Sequence, residues 1–196
     1  MRYPTITSLA AIIAIALSVS VDTTSATTLT SSSEQTYSGL IHATSATTEL
    51  QGEAFTVHCK RSTVTAGIET QSASTTAHGP VTILNFSECN FPVTVINGGR
   101  LEVHTPGRIN NGNGTLTSTN AEITVHGPFG INCLYRTNGT DIGILTGSIN
   151  QLNKGTATID IDSAGIPRVG HSAFCGAVGI WTGDYRVTTP DYLDVD

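Results

Sequence analysis

The chain has 196 residues, of which only 12% are charged, and its formal net charge is −6. Its 9 lysine and arginine residues form no basic stripe, which argues against nucleic acid and anionic lipid as partners. Threonine, serine, glycine and asparagine fill much of the remaining sequence, a composition typical of extracellular all-β proteins. We expect no cofactor, because the sequence carries no recognisable ligand signature.

The first 26 residues have the layout of a secretory signal peptide. Arg2 places a positive charge near the start, the thirteen residues Leu9–Val21 are apolar except for Ser18 and Ser20, and small and polar residues follow up to Ala26. This apolar run is shorter than the about 20 residues that cross a bilayer, so we predict no transmembrane segment after cleavage. Cleavage after Ala26 fits best, with Ser20 as the alternative. We therefore expect a protein that is secreted or associated with the cell envelope.

After the signal peptide, the serine- and threonine-rich residues 27–36 are predicted to form a disordered segment. Residues 37–196 are predicted to form a single domain, because no linker or change of composition divides them. Apolar and polar residues alternate there in short runs, beginning with Phe55, Val57 and Cys59 on one face. Further runs of this kind are, in chain order, Leu101–Val103, Ile123–Val125, Ala157–Ile161 and Trp181–Val187. Because period-two alternation indicates strands with one buried face, we predict an all-β domain of about eleven short strands, an antiparallel β-sandwich or a closed barrel.

Glycines beside asparagine or another turn-compatible residue are predicted to separate these strands. Asn97-Gly98-Gly99 is predicted to form a hairpin turn, because asparagine and glycine accept positive φ. Asn138-Gly139 is predicted to divide two strands in the same way, while Lys154-Gly155 and Ala164-Gly165 are predicted to bracket a strand. The sequence thus predicts frequent reversals of the chain.

Four cysteines, an even number, fit an exported protein with two disulfides. They are Cys59, Cys89, Cys133 and Cys175, and none lies in a Cys-x-x-Cys motif, which argues against a zinc or redox site. Three pairings are possible. We favour Cys59–Cys89 with Cys133–Cys175, because pairing neighbours closes each half of the chain separately, and each bridge is expected to contribute on the order of 3–4 kcal/mol.

Two histidines and two glutamates are the candidates for a metal site. If the predicted strands at 99–105 and 121–127 are neighbours, His104 and His126 could approach each other, with Glu102 and Glu122 nearby. Imidazole and carboxylate groups bind zinc or copper. The spacing matches no metal-binding motif, however, which favours the alternative of polar side chains on solvated sheet faces; we therefore predict no metal.

Paired carboxylates are the candidates for catalysis. Asp160 and Asp162 lie two residues apart on one predicted strand, and hence roughly 6–7 Å apart on the same face. That separation overlaps the spacing of the paired acids of glycosidases, and Glu102 is a further acid that folding could bring to them. The ordinary alternative is a solvated strand face. We therefore assign no catalytic residue, and we expect Trp181, the only tryptophan, to fill the core.

Four stretches of the chain carry a resemblance to known proteins: Phe55–Cys59, Asn85–Cys89, Gly130–Cys133 and Cys175–Pro190. In these stretches the chain resembles a class of small exported bacterial β-proteins, chiefly actinobacterial, that have a signal peptide, four cysteines and a late strand with tryptophan. Members of this class are largely uncharacterised, so the resemblance implies a fold and export but no catalytic residue. The general layout of cysteines and strands is more weakly similar to secreted proteins named as activators of alkane oxidation, and no residue matches that activity.

The sequence favours a secreted or envelope-associated β-domain without enzymatic activity, which binds an extracellular or envelope partner or has a structural role at the cell surface. One alternative is a secreted hydrolase whose acids converge only in the folded chain. A further alternative is a carrier that holds an apolar ligand between its sheets. An enzyme is expected to have a cleft where titratable groups meet, and a carrier an apolar cavity.

Overall fold

A computed structural model describes residues 29–33, 35–71, 76–105, 112–148, 155–170 and 174–195. Within these ranges the chain forms twelve strands and one short 3₁₀ turn at Pro128–Gly130. The strands are β1 (Leu29–Thr30), β2 (Gly39–Ser45), β3 (Thr48–Gln51), β4 (Thr56–Thr70), β5 (Thr76–Cys89), β6 (Val93–Asn97), β7 (Arg100–His104), β8 (Asn113–His126), β9 (Asn132–Thr146), β10 (Thr158–Pro167), β11 (Val178–Thr189) and β12 (Asp194–Val195). No helix in the described part of the chain is long and apolar enough to cross a membrane.

Ten strands, β2 to β11, form one antiparallel sheet that closes on itself. The pairing order is β2–β4–β5–β7–β8–β9–β10–β11, and β11 pairs in turn with β2 and β3. β3 continues β2 along the same side of β4, and β6 and β7 both lie along β8. The ring therefore has eight positions filled in chain order, as in an up-and-down barrel. The prediction of an all-β antiparallel domain is confirmed, and the pairing selects the barrel from the two architectures that the sequence left open.

The hairpin predicted at Asn97-Gly98-Gly99 is wrong. β6 and β7 are both antiparallel to β8, so they run in the same direction and form one interrupted strand. Gly99 has a φ of +74°, and its carbonyl oxygen accepts a hydrogen bond of 2.9 Å from the backbone N–H of Val81. The residues that accept positive φ bend a strand here instead of reversing it.

The predicted turns at Asn138-Gly139 and Ala164-Gly165 are wrong for the same reason. β9 runs through Asn138 and stays paired with β8 on both sides of it, and the ladder is irregular at this point. β10 likewise continues through Ala164, after a bulge at Ser163, whose φ is +57°. The prediction that the strands are short fails with these turns: β4 and β9 have 15 residues, and β5 and β8 have 14.

The core of the protein is the inside of the barrel. The residues that the alternation placed on the inner face are buried, among them Val57, Cys133, Ile159 and Tyr185. The only tryptophan, Trp181, also lies in this core, as predicted. Alternate side chains of each strand therefore fill the lumen, while their neighbours face solvent.

The two ends of the described chain meet at one end of the barrel. β1 pairs with β12, so that Leu29 lies opposite Val195, and both side chains are buried. Leu193 is also buried, and its backbone is bonded to the backbone and hydroxyl of Ser148. Residues 29 and 30 are thus ordered, where the sequence predicted a disordered segment over 27–36, because Leu29 gains an apolar environment and a strand partner. The predicted signal peptide (1–26) and residues 27, 28 and 34 lie outside the described residues.

The predicted disulfides, Cys59–Cys89 and Cys133–Cys175, are both confirmed. Cys59 lies directly opposite Cys89 in the ladder between β4 and β5. The second bridge joins β9 to the segment that precedes β11. Both therefore lie away from the end that β1 and β12 close.

Candidate functional site in the barrel lumen

The ring of hydrogen-bonded strands is interrupted between β5 and β6, and the ladder between β9 and β10 is also short, covering only Thr158–Asp160. β5 pairs with β7 only over Thr76–Pro80, and β6 pairs with β8 alone. The facing segments Val81–Cys89 and Val93–Asn97 share no ladder, although every residue of both is described. We call the gap between these two segments the seam. It is a place where the lumen can be reached without breaking strand pairing.

Two glycines create the seam. A Cβ atom at Gly98 would lie 2.6 Å from the carbonyl oxygen of Val81, and one at Gly99 would overlap the backbone of Ala121. Only glycine allows the chain to pass this close to both neighbouring strands. On the β7 side of these glycines the chain pairs with β5, and on the β6 side it does not.

Apolar side chains line the seam on both sides of the sheet. Leu84, Phe86 and Val93 face the lumen but are only half-buried. Ile83 and Ile96 face outwards and are 51% and 58% exposed. Apolar surface of the barrel interior is therefore accessible at this place.

Three small cavities follow one another inside the barrel. The first, of about 30 Å³, is lined from all eight positions of the ring and includes residues of the seam. The second, also about 30 Å³, shares Leu84, Ala121 and Trp181 with the first. The third, about 20 Å³, shares Leu116 and Ile159 with the second and reaches towards the end that β1 and β12 close. Together they form a narrow apolar row.

Most polar groups that face the lumen are paired within the protein. The hydroxyls of Ser62 and Tyr185 lie 2.8 Å apart, and the Tyr135 hydroxyl donates to the carbonyl oxygen of Cys175 at 2.7 Å. Burial raises the pKa of Tyr185 far above its ordinary value, and it also raises the pKa of Tyr135, against an opposing effect of the Arg168 charge. Both phenols therefore stay neutral and serve as hydrogen-bonding groups.

Two residues that line the first cavity, Trp181 and Thr48, differ from these because each has an unpaired polar atom. Trp181 is 9% exposed and Thr48 is 3% exposed, and neither Trp181 Nε1 nor Thr48 Oγ1 has a hydrogen-bond partner among the described residues. The indole is fixed by edge-to-face contacts with Phe86 and Tyr185, at centroid distances of 6.2 Å and 6.3 Å. Sequence reasoning missed Thr48, although its alternation with Leu50 was a signal for an inward-facing hydroxyl. Unpaired buried polar atoms are rare in folded proteins and call for a physical explanation.

The structure does not bring the candidate metal ligands together. His104 lies opposite Thr115, whereas His126 is eleven residues further along β8, roughly 30 Å or more away. The side chain of His104 contacts Glu102 at 3.5 Å, and Glu122 forms an ion pair with Arg136. No three histidine, cysteine or acidic side chains among the described residues are placed to hold a metal ion.

Both ring nitrogens of His126 are already engaged. Nδ1 lies 2.7 Å from the Asn132 side-chain oxygen, and Nε2 lies 3.0 Å from the hydroxyl of Thr94. This imidazole joins β8 to its two neighbouring strands on the outer face, which is a structural arrangement.

The candidate catalytic acids lie on the outside of the barrel. Asp160 and Asp162 are exposed on β10, while Glu102 is on β7, and β8 and β9 separate those strands in the ring. Asp160 lies directly opposite Asp184 on β11. Desolvation raises the pKa of Asp160, and a hydrogen bond to Asp184 and the charges of Asp184 and Asp162 raise it further.

Removing the charge at Asp184 is expected to stabilise the protein. Since like charges directly opposite each other destabilise a sheet, Asp184→Asn is expected to raise the free energy of unfolding at pH 7 by roughly 0.2–1 kcal/mol. A raised pKa means that the folded chain binds the proton more tightly, so wild-type stability falls as the pH rises through the folded-state pKa of Asp160. The difference between variant and wild type is therefore largest above that pKa and disappears below the ordinary aspartate pKa of about 3.9.

Denaturant unfolding measured from pH 3 to pH 8 checks this expectation. Asp162→Asn is the control, because Asp162 is on the same face but bonds to Ser163 rather than to Asp184. An equal or larger stabilisation from the control would contradict the pairing of Asp160 with Asp184. High salt is expected to reduce the effect, since the pair is exposed.

No family model, no curated protein and no solved structure matches the chain. The resemblance to exported four-cysteine proteins therefore stays a prediction.

Proposed function

We propose that this chain is a non-enzymatic binding domain that is exported and acts outside the cytoplasm, in the medium or at the cell envelope. The observation that carries the proposal is the lumen behind the seam, where half-buried apolar side chains line a cavity together with Trp181 and Thr48, whose buried Nε1 and Oγ1 atoms have no hydrogen-bond partner among the described residues. Such a site has the groups needed to hold a molecule but none of the convergent acids, bases or nucleophiles needed to transform one.

Three features support export. Disulfides persist in oxidising compartments, and all four cysteines are paired. Both candidate cleavage sites, after Ser20 and after Ala26, precede Leu29, so cleavage at either site leaves β1 and its pairing with β12 intact. The basic start and apolar run of the first 26 residues complete the argument.

The hydrolase alternative has less support. Its acids lie on an outer sheet face, and the raised pKa of Asp160 is explained by its cross-strand neighbour. A carboxyl pair on a convex surface has no walls to exclude water or to hold a substrate. The alternative of an apolar-ligand carrier is the form of binding that the cavities favour.

Fractionation of expressing cells tests the proposal. We expect the protein in the medium or envelope, with an N-terminus at Thr27, and with an intact mass four hydrogen atoms below the fully reduced mass because two disulfides each remove two. Cytoplasmic protein that retains residue 1 and has free thiols would contradict export. Hydrolysis of a polysaccharide panel that is lost in Asp160→Asn/Asp162→Asn would contradict the non-enzymatic assignment.

A further inference from the structure

We infer that the lumen binds a narrow aliphatic molecule with one neutral oxygen group, such as an alcohol or a ketone, and that this molecule enters through the seam. The inference rests on the proposed binding function and names the class of its ligand. Its four supports are the unpaired polar atoms, the shape of the cavities, the charge of their lining and the missing strand pairing.

The unpaired atoms select an oxygen group. The indole N–H of Trp181 is only a donor, whereas the hydroxyl of Thr48 both donates and accepts. An alcohol or ketone oxygen accepts from the indole, and an alcohol also donates to the threonine oxygen. Trp181 and Thr48 are both lining residues of the first cavity, and neither buried polar atom has a partner among the described residues. A ligand oxygen that bonds to them there removes the cost of leaving them unpaired.

The size of the cavities selects a narrow ligand. The three volumes are about 30, 30 and 20 Å³, whereas a cavity that admits benzene has roughly 150 Å³. No single cavity holds a ring. Successive cavities share lining residues and are therefore neighbours, so a chain of methylene groups extends from one to the next once the shared side chains between them move aside. The oxygen group then lies beside Trp181, and the chain points towards the third cavity, whose lining includes Ile41 and Leu145.

The charge of the lining selects a neutral head group. Glu49 is the only charged residue that lines the three cavities, and its exposed carboxylate contacts His58; no lysine, arginine or histidine is among their lining residues. A carboxylate would lose its hydration without gaining a cation. An alkylammonium group cannot accept the indole hydrogen.

The seam provides the route. Since no ladder joins Val81–Cys89 to Val93–Asn97, these segments can separate without losing strand hydrogen bonds. Phe86 and Val93 lie between solvent and the first cavity and are half-buried. Movement of these side chains opens the space that the ligand needs beyond the volume of the cavities.

The test uses the purified full chain with both disulfides formed and a set of six-carbon probes. These are 1-hexanol, 2-hexanone, hexane, hexanoate and hexylammonium. Trp181 is the only tryptophan, so its fluorescence and its single indole N–H resonance report directly on the first cavity. We expect saturable changes with 1-hexanol and 2-hexanone, affinity at least about threefold lower for hexane, and no saturation with hexanoate or hexylammonium.

Thr48→Val separates recognition from packing. It is expected to weaken 1-hexanol binding roughly three- to tenfold, the range of one hydrogen bond, and to leave hexane binding unchanged. The same variant is expected to unfold at a higher temperature than wild type, because it removes a buried unpaired hydroxyl. Thr182→Val, on the exposed outer side of β11, is the matched control and is expected to leave binding unchanged.

Three results would overturn the inference: no saturable change with any probe, equal affinity for hexane and 1-hexanol, or equal loss of both ligands in Thr48→Val. None of these results changes the fractionation result, so the proposed export survives or fails separately. A cytoplasmic location with intact hexanol binding would reject the proposed function and keep the site.

Discussion

Gly79→Ala is expected to lower the free energy of unfolding by about 3 kcal/mol. A Cβ atom at position 79 would overlap the carbonyl group of Gly67 on the neighbouring strand β4. The obstacle is backbone, which cannot move aside as a flexible side chain does, so β4 and β5 must separate where the ladder between them is already irregular. Urea unfolding followed by Trp181 fluorescence measures the loss.

Gly67→Ala is the matched control for this prediction. A Cβ atom there would have Leu40 Cδ2 as its nearest neighbour, at an ordinary van der Waals distance of 3.9 Å. The substitution is expected to change the free energy of unfolding by less than about 1 kcal/mol and to favour the folded state, since alanine restricts the unfolded chain. Equal losses in the two variants would contradict a directional clash between β4 and β5.

The sequence predicted which side chains of each strand face the core, because the polarity of each residue by itself largely decides whether it is buried. Val57, Ile159 and Tyr185 alternate with polar neighbours, and the inside of a barrel imposes the same alternation as one buried face of a sandwich. For that reason the sequence left the two architectures open. What distinguishes them is the pairing of β10 and β11 with each other and of β11 with β2, which alternation does not encode.

The turns were not predictable in the same way, because asparagine and glycine permit positive φ without deciding the direction of the chain. At Gly99 and Gly139 the positive φ bends or bulges a strand that continues. The buried positions change phase across Asn138, from Cys133 and Tyr135 to Ile142, as a bulge in a continuing strand requires, and long-range pairing with β8 decides the outcome. The asparagine–glycine pairs therefore marked the places where the strands are irregular, but the prediction that the chain reverses there was wrong.

The candidate site was the part least accessible from sequence. Asp160 and His104 were candidates because carboxylates can act in catalysis and imidazoles can bind metals, but both residues lie on the outer face of the sheet. The lumen site instead depends on a threonine and a tryptophan that look like ordinary strand residues. Their distinguishing property, the lack of a hydrogen-bond partner among the described residues, arises only from the packing of β3 and β11 around the cavity.

The two disulfides are expected to differ in their contribution to stability. Cys133→Ala/Cys175→Ala is expected to cost about 4–5 kcal/mol, and Cys59→Ala/Cys89→Ala about 3–4 kcal/mol. The two bridges close loops of similar length, with sequence separations of 42 and 30. Each is therefore expected to stabilise the protein by a nearly equal amount through restriction of the unfolded chain. The difference comes from packing, because Cys133 and Cys175 are both fully buried and their truncation leaves space in the core.

The second bridge also fixes a hydrogen bond of the lumen. The carbonyl oxygen of Cys175 accepts from the Tyr135 hydroxyl, and Tyr135 lines the first cavity. Loss of this bridge is therefore expected to change the Trp181 emission of the folded state as well as the unfolding midpoint, whereas loss of Cys59–Cys89 is expected to change chiefly the midpoint. Urea titrations of both double variants measure the two effects together. A larger loss for Cys59→Ala/Cys89→Ala would mean that the ladder between β4 and β5, rather than the buried segment before β11, limits unfolding.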